Sequence, residues 1–270
     1  MALLAAGGQG AVYRALDLTD NDTVAIKVLH ETVAASPEWR ERMFREAQAL
    51  TALHGTAAVR VLDQVWTDDG ALCMIMEYLQ GWDFEQHLER IEAQGGRLPL
   101  GELVNLFEPL VATLERAHSL GILHRDLKPA NIFIIDPDHG GGVRLLDFGF
   151  AKFVRMPSFT KAGHIAGSPS YIAPETWKGS RDLDRGIDVY GLGAILFRTL
   201  AGVPPFQAPD LISMLEVVTT GRRPSLHALR PDLPPTVDDW VQHALAIEIG
   251  ERFMTARATW NALRSALKIA

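Results

Sequence analysis

The sequence predicts an α+β protein with two unequal parts, a small β-rich N-terminal part that carries one long helix and a larger, mainly helical C-terminal part. Short apolar runs of strand-like alternation occur before Gly81, and long apolar runs at helical spacing follow it. The chain has 270 residues, of which 47% are hydrophobic and 22% charged. It is therefore long enough, and apolar enough, to bury a substantial core.

Composition excludes several classes of function. The net charge of −7 disfavours a nucleic-acid-binding protein, which needs a concentrated basic face. No apolar run approaches the roughly 20 residues that span a bilayer, and the first ten residues lack the basic start of a signal peptide. The single cysteine, Cys73, lies in an apolar run and is expected to be a buried thiol. We expect a cytoplasmic protein without a membrane segment.

The elements of the N-terminal part follow from local patterns. Residues 24–27 alternate as a strand, and residues 37–53 form a helix whose apolar face is expected to contain Phe44, Ala47, Leu50 and Leu53. Two further strands are predicted at residues 59–63 and 71–78, and the sequence TDDG forms the turn between them.

The C-terminal part is predicted to begin with a helix at residues 83–91 and a long helix at residues 98–120. Gly121 is typical of a helix C-terminus. A further, strongly apolar helix at residues 188–200 has no polar face and is expected to be buried along its whole length.

Three polar side chains mark the chemistry of the chain. Strands are predicted at residues 132–135 and 143–146, with a turn of proline and glycine between them. This hairpin brings Asn131 and Asp147 together, and Asp126 precedes it closely. Two oxygen ligands in such a place suit Mg²⁺. The alternative is a hairpin with solvated acids at its ends.

The sequence HRDLKPAN at residues 124–131, followed by DFG at residues 147–149, resembles the catalytic loop and metal-binding motif of the protein kinase family, in its bacterial serine/threonine form. The resemblance extends from Leu4 to about Leu267. It implies a two-lobed protein-kinase-like fold in which residues 1–80 form the N-lobe and residues 81–270 the C-lobe of one catalytic domain.

The resemblance also implies roles for the catalytic residues. Asp126 would accept the proton of the substrate hydroxyl, and Lys128 would neutralise charge on the transferred group. Asn131 and Asp147 would hold Mg²⁺, for which Mn²⁺ can substitute. Lys27 would hold the ATP phosphates, and Glu46 would hold Lys27. A solvated surface acid is the alternative for any isolated glutamate of a helix.

The ATP site is implied by three further stretches. Residues 4–12 align with the family's glycine-rich loop, although Ala5 replaces the first glycine and the strand before it is expected to be nearly absent. Met76 matches the gatekeeper position ahead of the hinge. The implied nucleotide-binding residues are Ala5, Gly7, Gly10, Val12, Ala25, Lys27, Met76, Glu77, Leu79, Phe133 and Asp147.

The activation loop is implied at residues 147–175. Thr160 is the first candidate for autophosphorylation, and Arg125 would pair with its phosphate. The alternative is that the loop hydroxyls are ordinary solvated groups. Ser168 matches a substrate-positioning residue. The structural residues that the resemblance implies are Glu175, which pairs with Arg252, and Asp188, which binds the catalytic-loop backbone.

The expected function is therefore ATP-dependent phosphorylation of serine and threonine hydroxyls on proteins, with self-association during autophosphorylation. Two alternatives remain open. One is a weakly active or inactive kinase-like nucleotide-binding or scaffold module, suggested by Ala5 and the short first strand. The other is a small-molecule phosphotransferase, which the peptide-docking motif at residues 173–175 disfavours.

Overall fold

The structure is a computed structural model that describes residues 1–8, 10–67, 71–148, 169–180 and 182–269. In this part of the chain the strands are β1 (Ala2–Ala6), β2 (Gly10–Leu16), β3 (Thr23–Leu29), β4 (Val61–Trp66), β5 (Leu72–Glu77), β6 (Gly81–Asp83), β7 (Ile132–Ile135) and β8 (Val143–Leu145). The predicted turn at residues 67–70 lies largely outside the described residues.

The helices of the described residues include one long helix in the N-lobe and the main helices of the C-lobe. They are α1 (Glu31–Ala34), α2 (Pro37–Ala52), α3 (Phe84–Ala93), α4 (Leu100–Ser119), α5 (Pro174–Trp177), α6 (Gly186–Ala201), α7 (Leu211–Thr220), α8 (Leu226–Leu229), α9 (Thr236–Ala244) and α10 (Ala256–Leu267). The predicted α+β arrangement is confirmed.

The N-lobe is built on an antiparallel sheet. Within the described ranges this sheet has five strands in the order β1-β2-β3-β5-β4. The expectation that the first strand is nearly absent is wrong, because β1 has five residues and pairs with β2. Its side chains are all exposed, so no apolar alternation marks it in the sequence and backbone pairing forms it instead.

Helix α2 packs across this sheet and starts after Ser36 with a proline in its first turn, where a missing N–H costs nothing. Ala47, Leu50 and Leu53 are buried as predicted. Phe44 is not, since 49% of it is exposed, and Met43 is buried in its place. The prediction is therefore wrong at this one position, because spacing alone does not distinguish two adjacent apolar residues.

Helix α6 is the centre of the C-lobe. All of its 16 residues are buried, and the helix ends where Gly202 adopts a φ of 77°. Two glycines allow close contacts, since a Cβ on Gly191 would lie 3.1 Å from Leu127 and one on Gly193 would lie 3.0 Å from Ala244. The prediction that this apolar helix is buried whole is confirmed.

The segment between α2 and β4 connects the two lobes. The amide of Ala57 donates to Thr113 Oγ1 of α4 at 2.9 Å. Val59 donates to the carbonyl of Leu145 at 3.0 Å, and Leu145 donates back to the carbonyl of Ala57 at 2.7 Å. Helix α2 is therefore fixed at its C-terminal end to the hairpin of β7 and β8, which carries the site.

Candidate active site

The loop between α4 and β7 brings three predicted site residues together. Lys128 Nζ donates to Asp126 Oδ2 at 2.9 Å. Asn131 Nδ2 donates to the carbonyl oxygen of Asp126 at 2.7 Å and to Asp126 Oδ2 at 3.1 Å. A short 3₁₀ turn, Pro129–Asn131, sets this spacing. One carboxylate oxygen of Asp126 is thus oriented by an ammonium and an amide.

Asp188 of α6 fixes the backbone of this loop by hydrogen bonds. Its carboxylate accepts hydrogen bonds from the backbone amides of His124 and Arg125, both at 2.8 Å, so the predicted hydrogen bonds are present. His118 Nε2 of α4 lies 2.8 Å from the same carboxylate. Burial favours the protonated acid, but these hydrogen bonds outweigh it and lower the pKa of Asp188.

The backbone of the loop is strained at one residue. Arg125 has a φ of 66°, a conformation that costs a non-glycine residue energy. The two hydrogen bonds of Asp188 flank this position and offset the strain. Burial lowers the pKa of the Arg125 guanidinium, although Asp188 opposes that shift.

His124, the first residue of the HRDLKPAN motif, is a buried packing residue. It is fully buried, with its ring centroid 4.8 Å from that of Phe148. Its Nε2 lies 2.9 Å from the carbonyl oxygen of Leu146, and its Nδ1 accepts from the amide of Asp126. Burial lowers the pKa of His124, which keeps the ring neutral as these contacts require.

A charged triad joins three elements beside the loop. Lys27 of β3 donates to Glu46 Oε1 of α2 and to Asp147 Oδ1 after β8, each at 2.7 Å. Burial disfavours the ammonium, but the two carboxylates outweigh it and raise the pKa of Lys27. The same ammonium holds the pKa of Asp147 at about 2. Burial raises the pKa of Glu46 to about 7, against the pull of Lys27.

The β7–β8 hairpin brings Asn131, just before β7, close to Asp147, which follows β8. Ile132 pairs with Leu145, and the amide of Leu146 donates to the carbonyl of Asn131 at 2.8 Å. Asp147 then turns out of the strand with a φ of 45°. The predicted strand pair is confirmed, except that β8 ends at Leu145 instead of residue 146.

This donor set fits Mg²⁺. Because Nδ2 of Asn131 is engaged with Asp126, the oxygen of the same amide faces the other way and is suited to a hard cation. The side chain of Asp147 is 53% exposed, so it retains access from the cleft while it pairs with Lys27. In the described part of the chain, no group of three or more His, Cys, Asp or Glu residues is arranged as a metal cage.

The predicted glycine-rich loop is the turn between β1 and β2. Ala5 lies inside β1, opposite Val12, and the turn begins at Gly7, whose amide donates to the carbonyl of Gly10 at 2.9 Å. Gly10 is required for packing, because a Cβ there would lie 2.1 Å from the carbonyl oxygen of Val28. Gly7 has open space around it, so a nucleotide can approach its backbone.

The remaining predicted nucleotide contacts lie around the junction of the lobes. Met76 is buried and pairs with Ala25. The amide of Glu77 already donates to the carbonyl of Arg60, which leaves Leu79 and the carbonyl of Glu77 as the nearby backbone groups. Phe133 of β7 and Val12 of β2 are half-buried.

The peptide-docking motif at residues 173–175, at the end of the activation loop, is anchored to the C-lobe. Arg252 Nη1 and Nη2 donate to the two carboxylate oxygens of Glu175 at 2.8 and 2.7 Å, in a nearly fully buried pair. Thr160 and Ser168, the predicted phosphorylation and substrate-positioning residues, lie outside the described residues, as does Gly149.

Sequence reasoning missed three side chains near the site. His118 contacts Asp188, Arg144 donates to Glu77 Oε1 at 2.9 Å, and Arg198 joins α6 to α3. The signal for Arg198 was present, since it is a lone arginine within a strongly apolar helix. The other two pairings connect residues 70 and 67 positions apart, and no local pattern indicates them.

Over the residues that the structure describes, no helix combines the length and the apolar character needed to cross a bilayer.

Comparison with known proteins agrees with this geometry. The family model described as protein kinase domain matches residues 1–259. The chain is 34% identical over 269 residues to serine/threonine-protein kinase pkn3 of Myxococcus xanthus, with 95% of this chain and 47% of that protein covered. It is 30% identical over 256 residues to PrkC of Bacillus subtilis, with 95% and 38% covered. The chain thus spans less than half the length of these two relatives.

Solved structures show the same fold. The PknI kinase domain of Mycobacterium tuberculosis is 30% identical to this chain, with a TM-score of 0.74, and the match covers 98% of this chain and 94% of that one. The two-lobed prediction is therefore confirmed, with β1 to β5 around α2 in one lobe and mostly helices in the other. The chain belongs to the protein kinase domain family, and the relatives it matches are bacterial serine/threonine-protein kinases.

Proposed function

We propose that this chain is an active kinase that transfers the γ-phosphoryl group of ATP to serine and threonine hydroxyls of proteins. The observation that carries the proposal is the charged triad. Lys27 is held by Glu46 and lies against Asp147, so β3, α2 and the segment after β8 meet in one arrangement. Phosphoryl transfer depends mainly on positioning and on charge stabilisation, which a preformed triad supplies.

The roles of the residues follow from their neighbours. Lys27 would bind the ATP phosphates, and Glu46 keeps its ammonium in place. Asn131 and Asp147 would hold Mg²⁺, or Mn²⁺ in its place, and the bound ion would neutralise charge on the phosphates. These assignments are supported by the oxygen donors that the β7–β8 hairpin brings to the same edge.

Asp126 would accept the proton as the substrate hydroxyl attacks the γ-phosphorus. The bond from that phosphorus to the bridging oxygen of ADP breaks, and the proton moves to Asp126. Lys128 and Asn131 orient Asp126 Oδ2 for this step. Lys128, which lies 2.9 Å from that oxygen, is also close enough to offset negative charge on the transferred group.

The adenine ring would lie between the lobes. We propose that Ala25 and Val12 cover one face and Phe133 the other, with backbone groups of Glu77 and Leu79 at its edge. Met76 would act as the gatekeeper. Ala5, Gly7 and Gly10 would form the turn over the phosphates, which the open space around Gly7 supports. The lobes would divide between residues 80 and 81.

We further propose that Thr160 is autophosphorylated and that Arg125 pairs with its phosphate. Charge-assisted hydrogen bonds to a phosphate would then order the activation loop. Ser168 would position the substrate. Phosphorylation between two copies requires transient self-association. We place this activity in the cytoplasm, where ATP is abundant and the buried thiol of Cys73 stays reduced.

The test is incubation of the purified chain with ATP and Mg²⁺, followed by intact-mass measurement and peptide mapping. The proposal expects added phosphate on Thr160 or its neighbours in the wild type and none in an Asp126→Asn variant incubated in parallel. Tight ATP binding without any transfer, to itself or to a Ser/Thr peptide library, would instead support the weakly active or inactive module, which Ala5, in place of the family's first glycine, suggests.

A further inference from the structure

A buried arginine in α6, Arg198, bonds both to helix α3 and to the segment around Tyr171. The proposed catalytic roles do not use this arginine. Arg198 is 6% exposed, and apart from Thr199 the residues around it in the helix are apolar. A guanidinium does not lose its proton at any ordinary pH, so it must be paired wherever it is buried.

Two of its partners belong to one helix. Arg198 Nε and Nη2 donate to the two oxygens of Glu92, near the end of α3, at 2.9 and 3.0 Å. Its Nη1 donates to Glu85, near the start of the same helix. Helix α3 directly follows β6 and the hinge, and Arg198 therefore fixes both ends of this helix to the core of the C-lobe.

The third partner, Tyr171, belongs to a different segment and shares Arg198 Nη1 with Glu85. Tyr171 is 6% exposed, and its hydroxyl oxygen accepts a hydrogen bond from Arg198 Nη1 at 3.0 Å. Tyr171 belongs to residues 169–175, which we call the platform segment. This segment is also held by Ser170 Oγ, which donates to the carbonyl of Phe206 at 2.8 Å, and by the pair of Glu175 and Arg252.

Stability alone does not account for this cluster. Apolar residues of similar size replace buried ionic groups at little cost or with a gain in stability. What such groups supply is a defined geometry, since each hydrogen bond fixes a direction and a distance. Of the three platform-segment contacts described above, those of Ser170, Tyr171 and Glu175, the bond from Tyr171 to Arg198 is the one that continues to α3.

We propose that Arg198 is a positioning residue for the protein substrate, which acts through Tyr171 to fix the platform segment relative to α3 and the catalytic loop. The inference rests on the proposed function, because it assigns the platform segment to binding of the substrate backbone. Arg198 itself is buried beneath the segment and touches neither ATP nor the reacting atoms.

The test is the Tyr171→Phe variant, which removes one hydroxyl and leaves Arg198 paired with Glu85 and Glu92. The probe is a synthetic peptide with the sequence of residues 154–166, which contains Thr160. We expect the KM for this peptide to rise about fivefold to tenfold, since small displacements of a bound substrate have large kinetic effects. The KM for ATP should stay within about twofold, and the thermal midpoint should fall by no more than about 4 °C.

The matched control is Tyr190→Phe, because Tyr190 lies on the same helix and its buried hydroxyl makes no hydrogen bond to the described residues. This variant should keep the wild-type KM for the peptide. Arg198→Lys is a second variant, in which one ammonium retains the charge but lacks the planar fork that binds Glu92 and Tyr171 together. It should raise the peptide KM at least as much as Tyr171→Phe.

The outcomes separate the two claims. If the wild type phosphorylates the peptide and Tyr171→Phe leaves its KM unchanged, or raises the KM values for peptide and ATP equally, the inference about Arg198 is overturned while the proposed function stands. If the wild type transfers no phosphate, the proposed function fails and the inference fails with it.

Discussion

At the residue scale, the geometry of the candidate active site depends on one ammonium, that of Lys27, which two carboxylates share. Lys27 lies 2.7 Å from both Glu46 and Asp147, which come from a helix of one lobe and a loop of the other. Since Lys27 holds the pKa of Asp147 at about 2, this carboxylate is ionised at neutral pH. Glu46, whose pKa is raised to about 7, is only partly ionised there.

The first residue-scale prediction concerns Lys27→Met. The variant should lose phosphoryl transfer by about 100-fold or more, because a preformed positive charge at the phosphates is removed. Its fold should survive, since Lys27 is outside the apolar core and Glu46 can take up a proton when its partner is lost. The measurements are transfer to a peptide from radiolabelled ATP and the circular dichroism spectrum. Full activity would contradict the assigned role.

The second residue-scale prediction concerns the pH dependence of the KM for ATP. Because the pKa of Glu46 is raised to about 7, the carboxylate is mostly charged at pH 8 and mostly neutral at pH 6. Neutral Glu46 holds Lys27 less firmly, so the KM for ATP should rise by about threefold to tenfold as the pH falls between these values. Glu46→Gln cannot titrate and serves as the control.

The comparison is made with steady-state kinetics at saturating Mg²⁺. Titration of ATP itself affects wild type and Glu46→Gln alike, so only the difference between their pH profiles reports on Glu46. Identical profiles would show that the protonation of Glu46 does not govern ATP binding.

At the element scale, α6 supports the site through a few polar contacts along an apolar helix. Asp188 near its start holds the catalytic loop, and Arg198 near its end holds α3. The platform segment is fixed separately by Arg252, which also donates to the carbonyls of Gly186 and Ala246. One guanidinium therefore connects α5, the start of α6 and the segment after α9.

Arg252→Met should lower the free energy of unfolding by about 3–5 kcal/mol, because it leaves Glu175 buried without its counter-ion. Adding Glu175→Leu to this variant should recover part of the loss, since the unpaired charge is then removed as well. The measurement is urea unfolding of both single variants and the double variant. A double variant less stable than either single one would contradict this account of the pair.

At the scale of the whole molecule, the position of α2 depends on the segment that follows it. Residues 57–59 are hydrogen-bonded to α4 and to β8, both of which belong to the larger lobe. Because α2 ends only five residues before Ala57, these bonds limit how far Glu46 can move from Lys27. The two lobes are thus coupled behind the cleft as well as through the hinge.

Thr113→Val tests this coupling. Valine has nearly the shape of threonine but cannot accept from the amide of Ala57, and an unsatisfied buried amide costs about 1–3 kcal/mol. We expect stability to fall by that amount and kcat/KM for ATP to fall about threefold or more as α2 shifts. Thr259→Val is the control, because the hydroxyl of Thr259 donates to the carbonyl of Thr255 at the start of α10, away from the site.

The outcome is read from urea unfolding and ATP kinetics of both variants. If Thr113→Val and Thr259→Val lower kcat/KM equally, the effect is one of general stability. The bond between the lobes would then have no specific part in placing α2.

The sequence by itself determined the fold class and the family, and it predicted most of the residues assigned to the site, because each of these rests on short stretches of the chain. The motif around Asp126 is a short stretch that resembles the catalytic loop of the protein kinase family. The strand that ends in Lys27 and the apolar run of α6 are local patterns set by the period of a strand or a helix. The site residues far apart in sequence could be assigned only because each lies in such a pattern.

Only the tertiary structure decided the rest. The first strand is formed by pairing with β2 and has no buried face to mark it, and the burial of Met43 in place of Phe44 depends on the angle at which α2 meets the sheet. His118 and Glu77 meet partners 70 and 67 positions away in sequence, and Arg198 meets Glu92 at 106 positions. Such contacts arise when elements pack together, and no local spacing records which distant side chain will meet a buried charge.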